Sequence, residues 1–478
     1  MRKKMTFLIT LEILLFILFS SRMVSAAGID LCDGQLHIGG FYELLLGVHV
    51  TDPPPDRVVG PDNQPWREPG NPSLFRNTFQ AEITYNFSDH VKAFTTIRYF
   101  YDGLFDLNDD INKMPASRLR SPQYGQDYLR EFYIDLDYPT WHARIGKQQL
   151  VWGESDALRM ADIINPLDLS WHWSLESWQD IRIPLRMIDF HYTGFNWHHL
   201  DLELVWIPED FQSTKLPPQN AQMSIPGLAQ SSIDLISQKS PDTGDISNSE
   251  FGFQTKATFG RAEYGLFYFY GRNRGSIFKL SPTYQPVVEF QRMNTIGGTV
   301  NYFEEYTQAV LRAEWALNIG MKFSPWELVS FSKEGLPVTS NFTQSNNLGF
   351  MLGFDRPVWI KFLNKNNTFS FSGQYFRSQL LNNWHNITTS TQSQDRTQNV
   401  FSLMIMSSWY HEYIQPHLLM VYDPSGTEYV QPEIKYVPSD YFNIALGANL
   451  FASINYRDSV WGAIHKGNEI YLRIRFPL

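Results

Sequence analysis

The sequence predicts an all-β fold, a single transmembrane antiparallel β-barrel of about 18 strands, with 16 as the alternative. Three observations predict it. Apolar and polar residues alternate with period two through most of the chain beyond residue 36, which places one set of side chains on each face of a sheet. The alternating segments run to about 10 residues, the length that crosses a bilayer when tilted. Their connections alternate between short and long, as short periplasmic turns and long extracellular loops do.

The chain opens with Arg2, Lys3 and Lys4, an apolar run from Met5 to Phe19 interrupted by Glu12, and Val24-Ser25-Ala26. This is the pattern of a cleaved secretory signal peptide over residues 1–26. The run is short for a membrane helix, which needs about 20 residues. Residues 27–35 are expected to form a short periplasmic tail carrying the single cysteine, Cys32, which makes neither an internal disulfide nor a metal cluster. No second long apolar stretch follows, so residues 36–478 are expected to form one barrel without a membrane helix.

Within it, Phe79, Ala81, Ile83, Tyr85 and Phe87 alternate with Gln80, Glu82, Thr84 and Asn86. The same pattern runs through Val91–Tyr99, Phe132–Tyr138, Thr307–Trp315, Phe369–Tyr375 and Val430–Tyr436. A soluble sandwich would alternate too, but aromatics make up 15% of this chain and gather near segment ends, as at Tyr99–Tyr101 and Phe267–Tyr270. That placement matches interfacial girdles. Short turns fall at Ser88-Asp89-His90, Pro139-Thr140, Asn196-Trp197-His198, Gly260-Arg261, Glu304-Glu305, His411-Glu412 and Pro438-Ser439-Asp440. Between them lie long loops rich in Pro, Asn, Ser, Gly and Asp, over 51–74, 103–125, 152–183, 208–248, 273–286, 320–343 and 379–398. Arg356–Lys365 departs from the scheme: a turn is due there, yet Val358, Trp359, Ile360 and Phe362 suit a segment resting on the bilayer. The chain ends on Ile470, Leu472, Ile474 and Phe476 alternating with Glu469, Tyr471, Arg473 and Arg475, which resembles the terminal recognition signal of bacterial outer-membrane barrels.

The stretch from Arg144 to Asp168 breaks the alternation. Gly146 and Gly153 loosen the backbone, Asn165-Pro166 ends any short helix over Ser155–Ile164, and charges of both signs crowd between apolar residues. Gly146-Lys147-Gln148-Gln149, Val151-Trp152-Gly153-Glu154-Ser155-Asp156, Leu158-Arg159, Asp162, Asn165-Pro166-Leu167-Asp168 and Arg182-Ile183-Pro184-Leu185 resemble a Gram-negative outer-membrane family known as domain of unknown function 1302. Phe251-Gly252-Phe253, Tyr268-Phe269-Tyr270-Gly271, Gly353-Phe354-Asp355 and Tyr436-Val437-Pro438-Ser439-Asp440 extend the resemblance over nearly all of the chain after the leader. It implies a porin-like barrel in the outer membrane of a Gram-negative bacterium. It leaves the activity open, with a link to export systems for hydrophobic molecules in some members.

Composition excludes several functions. The formal charge is −10, and removal of residues 1–26 takes away four bases and one acid, leaving −13. Nucleic-acid binding wants a basic patch and is not expected. There is no G-x-S-x-G elbow around Ser155, no nucleotide loop and no zinc motif, so neither enzyme activity nor a cofactor or metal is expected. His198, His199 and His411 read as polar turn residues.

With the apolar face on lipid, the other face turns Arg98, Glu131, Asp135, Arg144, Arg312, Glu314, Glu433, Lys435, Arg473 and Arg475 inward. On the lipid face an Arg or Lys would cost about 2–4 kcal/mol at the midplane. The expected function is a channel for a small or hydrophobic solute, coupled or not to a periplasmic or inner-membrane export partner. The alternatives are a structural barrel docking a secreted or electron-transfer partner, and an outer-membrane hydrolase. By analogy with porins a homo-oligomer fits. The segment Trp152–Ile183 is expected to fold into the barrel mouth and narrow it, because Trp152, Leu158, Ile163, Ile164, Leu167, Trp171, Trp173 and Trp178 need burial. Its charges have both signs, Glu154, Asp156, Asp162, Asp168 and Asp180 against Arg159 and Arg182, with Lys147 at its root, and inside the mouth the acids are expected to pair with lumen residues such as Arg98, Arg144 or Arg312. Acids outnumber bases, so a wet constriction should attract cations. The alternative is a lid packed on the outer rim.

Overall fold

In the computed structural model, the described residues are 28–51, 68–104, 126–170, 176–195, 197–208, 210–216, 237–239, 241, 244–275, 277–280, 286–325, 342–383, 387–388, 396–453 and 467–478. The expected leader over 1–26, parts of the long loops 103–125 and 379–398, and the tryptophans at 171 and 173 lie outside them.

Eighteen antiparallel strands close into one barrel. In chain order they are β1 (Leu36–His49), β2 (Pro72–Ser88), β3 (Val91–Asp102), β4 (Leu129–Tyr138), β5 (Trp141–Gln148), β6 (Leu185–Tyr192), β7 (Asp201–Ile207), β8 (Glu250–Phe259) and β9 (Ala262–Arg272), followed by β10 (Arg292–Glu304), β11 (Ala309–Pro325), β12 (Thr343–Val358), β13 (Phe369–Leu380), β14 (Thr397–Met406), β15 (Ile414–Asp423), β16 (Thr427–Ser439), β17 (Phe442–Ser453) and β18 (Glu469–Pro477). Each pairs with its neighbours in sequence, and β18 returns to β1 from Phe41↔Pro477 to His49↔Glu469. Closure removes both sheet edges, so the wall leaves no row of unpaired backbone groups. Among the described residues no helix is long and apolar enough to cross a membrane, and the α-helix present, α1, is the single turn Trp178–Ile181.

The period-two pattern sets the faces. Along β9, Tyr264, Leu266 and Tyr268 are exposed on the outer wall, while Phe267 and Phe269 between them are buried inside. Outward rows elsewhere are equally apolar, with Ile434 58% and Leu446 57% exposed. Aromatics stack along the rim at the short-turn end: Tyr138 on Trp141 at 4.5 Å between ring centroids, and Trp141 near Phe190 at 6.0 Å.

Two local expectations are corrected and a third segment is refined. Residues 29–31 are not a free tail: Ile29–Leu31 folds back as a short strand against Leu36–Ile38 of β1. Thr307 and Gln308 belong to the turn before β11, where Glu304 caps the Thr307 N–H at 2.7 Å and Gln308 has φ 55. In the segment 356–365, β12 runs on to Val358 before the chain turns, leaving Trp359 and Phe362 exposed. At the long-loop end, Ser237–Lys239, Ile277–Leu280 and Pro286–Glu289 make a separate three-stranded sheet.

Candidate site: a segment folded inside the barrel

Between β5 and β6 the chain turns into the barrel. Asn165 closes the base of this excursion and is 0% exposed. Its Oδ1 accepts the Leu150 N–H at 2.8 Å, and its Nδ2 donates to the Ile183 carbonyl at 2.9 Å. Proline at 166 lacks an N–H, but its carbonyl accepts the Ile183 N–H at 2.8 Å, and Leu167 bridges Arg182. The two legs are thus tied together, and what lies between them is presented as one body.

Two apolar seats hold that body. Trp152, 1% exposed, packs between Phe267 and Phe269, and its Nε1–H donates to Glu203 Oε1 at 2.7 Å. A buried indole needs that acceptor. Gly252 makes room for the ring: a Cβ there would stand 2.6 Å from Trp152 Cη2. Beyond Gly153, Ala157, Leu158 and Met160 rest against Met351, Phe376, Val400 and Val421, inward residues of β12 to β15. The segment therefore reaches from the β5–β9 wall to the β12–β15 wall.

Charges fix it between these walls. Glu314 of β11, 1% exposed, accepts the Glu154 N–H at 2.8 Å and the Ala161 N–H at 3.4 Å. Arg312 donates to the Glu154 carbonyl and to Asp156 Oδ2, each at 2.6 Å, and also binds Asp355 and Ser372. Gln374 accepts the Asp156 N–H at 3.0 Å and donates to its carboxylate at 2.8 Å. Asn301 donates to Glu154. Within the segment, Asp162 receives Arg159 at 2.9 Å and Arg182 at 2.6 Å, and Asp168 receives Lys215 at 3.5 Å. Burial among these groups lowers the Arg159 pKa, against the pull of Asp162.

On the opposite side, α1 is held by β2 to β4. Arg76 pairs with Glu176, Arg98 pairs with Asp180, and Arg130 donates to the carbonyls of Asp180 at 3.0 Å and Arg182 at 2.9 Å. Burial alone would raise the Asp180 pKa, but the Arg98 charge and the Ser177 and Arg98 hydrogen bonds outweigh it and hold the carboxyl below its ordinary value. Trp178 links the two halves, its Nε1–H donating to the Asp156 carbonyl at 2.6 Å.

Arg98, Arg312 and Glu314 thus meet the segment, and Glu131 meets its root by accepting the Gln149 N–H at 3.1 Å. Arg144 does not. It pairs with Asp135 of β4 at 2.7 Å and lies over Tyr133, because a carboxylate one strand away costs less ordering than a loop partner. Lys147 is also corrected. It shares a cross-strand row with exposed Phe132 and Arg186, so it stands on the outer wall and binds Asp127 and the Leu129 carbonyl. Arg473 faces inward between Glu43 at 3.9 Å and Glu433 at 3.7 Å. His198, His199 and His411 have φ of 50, 51 and 58, as suits turns. Sequence reasoning missed Asn165, Glu203, Arg76, Arg130 and Arg274, whose Nε donates to the Ile164 carbonyl at 3.1 Å. Asn165 was visible as a helix stop and within the family motif, but not as the anchor of the two legs.

A family model described as a protein of unknown function, DUF1302, matches residues 50–402. No curated protein matches the sequence. The chain is similar to solved porin structures at low identity. OccK9 (OpdG) of Pseudomonas aeruginosa is 10% identical with a TM-score of 0.49, over 93% of this chain and 98% of that one. OccAB1 of Acinetobacter baumannii is 10% identical with a TM-score of 0.48, over 92% and 96%. OmpF of Salmonella typhi, in complex with daunomycin, is 8% identical with a TM-score of 0.43, over 94% and 100%.

Proposed function

The chain belongs to the DUF1302 family, and we propose that it forms an outer-membrane channel whose bore is narrowed by the infolded segment between β5 and β6. One observation carries this reading: the segment is anchored inside a closed wall on opposing sides, by Arg76 and Arg98 on one and Arg312 and Glu314 on the other. An 18-strand wall is too wide for its own side chains to fill, so an inserted segment sets the passage. A small or hydrophobic solute, and coupling to an export system, are further proposals drawn from the family resemblance. Purified protein in planar bilayers should give discrete current steps. Folded protein that never conducts would favour a sealed scaffold. The apolar seats around Trp152 and Met160 lend that second reading support, since they close part of the interior to water.

A further inference from the structure

The inner wall between β4 and β8 carries a ladder of titratable side chains. One cross-strand row runs Asp137, His142, His191, Glu203, Gln254. The next runs Asp135, Arg144, Asp189. We propose that Asp189, His191 and Glu203 form a binding site for one divalent transition-metal ion of the zinc class.

The ligand atoms of these three residues all lie within 4.8 Å of one another. A tetrahedral ion with bonds of about 2.0–2.1 Å gathers its ligands from such a spread by small side-chain rotations. The donor set, one imidazole and two carboxylates, suits zinc and its first-row neighbours rather than calcium or magnesium, which prefer oxygen alone. Asp189 is 5% exposed, and its Oδ1 is buried without a hydrogen-bond partner. Such an oxygen is costly to leave unmatched.

The surroundings of His191 fit a metal ligand. Its Nδ1 lies 3.2 Å from Asp201, which would fix the ring by accepting an Nδ1–H, and its Nε2 is left towards Asp189 at 3.3 Å. A ligating histidine usually gives its other N–H to a carboxylate in this way. Both separations exceed the roughly 2.7–2.9 Å of a well-made charged pair.

Charge balance agrees. Asp135, Asp137, Asp189, Asp201 and Glu203 face the permanent cations Lys92, Arg144 and Lys256. With His142 and His191 neutral, the acids of this ladder outnumber its cations, and a divalent ion would offset that excess. Glu203 is also the acceptor of the Trp152 indole, so the ion would bear on the carboxylate that seats the infolded segment. The rival is an ion-pair ladder in which both imidazoles are protonated and no metal binds.

The test uses the full chain in detergent micelles, stripped with a chelator and titrated with Zn²⁺ alone by calorimetry. The expected result is one site, weakened more than tenfold by Asp189→Asn and by His191→Gln, and about 10–100-fold by Asp201→Asn through the outer partner. His198→Gln, in a turn, should leave it unchanged. X-ray absorption of the loaded protein should show nitrogen and oxygen ligands with a single imidazole. Absence of stoichiometric binding, or binding that survives Asp189→Asn and His191→Gln in folded protein, would overturn the site. So would a spectrum with two or more imidazoles.

Discussion

At the scale of single residues, the segment's acids are spent on partners. Asp156, Asp162, Asp168, Asp180 and Glu176 all sit in ion pairs. The surplus of acids counted along the segment therefore overstates the field in the bore; what matters is which carboxylate still meets water. Asp156 does, with its side chain 39% exposed beside Arg312 at 13%. Glu154→Gln with Asp156→Asn should shift selectivity towards anions, read as the reversal potential in a salt gradient. Because the Asp156 carboxylate is more than a third exposed and Arg312 keeps Asp355 as a partner, losing this pair should cost only about 0.2–1 kcal/mol. Asp180 gives a pH signature. Its folded pKa is depressed, so its pairing stabilises the fold fully above the ordinary aspartate value of about 3.9 and is lost as pH falls through the lower folded value. The barrel's unfolding temperature, compared with that of Asp180→Asn, should converge on the variant's below that window. An unchanged difference at all pH values would count against the Arg98 pairing.

At the scale of elements, strands were readable and their unions were not. Alternation in Phe79–Phe87 or Ile470–Phe476 shows a face of a sheet from four or five residues. Ile29–Leu31 and Ser237–Lys239 are three residues each, too short for a period, and they pair because of what lies beside them. The infolding of the segment was legible in outline, because Trp152 and Leu158 cannot stay in water. Its anchors were not, since hydrogen bonds such as those of Asn165 depend on backbone groups brought together from both legs. Gly252 shows the cost of misjudging such a contact. Gly252→Val should force Trp152 from its seat, destabilising the barrel by about 1–3 kcal/mol, as overpacking does. Heat-dependent unfolding in detergent reads the loss, and wild-type stability would show the seat to be loose.

For the whole molecule, the sequence is read as about 18 strands with 16 as the alternative, and the barrel closes with 18; the polar inner face follows from the cost of charge in lipid. The interior did not follow the simple rule. Phe267, Phe269, Met351 and Phe376 point inward, where a water-filled barrel would carry polar side chains. The sequence holds a trace of this in Tyr264–Gly271, where aromatics occupy both faces of one strand. Those inward apolar residues mark where the segment between β5 and β6 lies, and they hold it as part of the fold rather than as a loose loop. The most direct measurement is the single-channel conductance of the full-length protein beside that of a deletion of Ser155–Asp168, both confirmed as folded barrels. The account predicts a larger conductance and weaker ion selectivity in the deletion. Equal conductance and equal selectivity in the two proteins would contradict it.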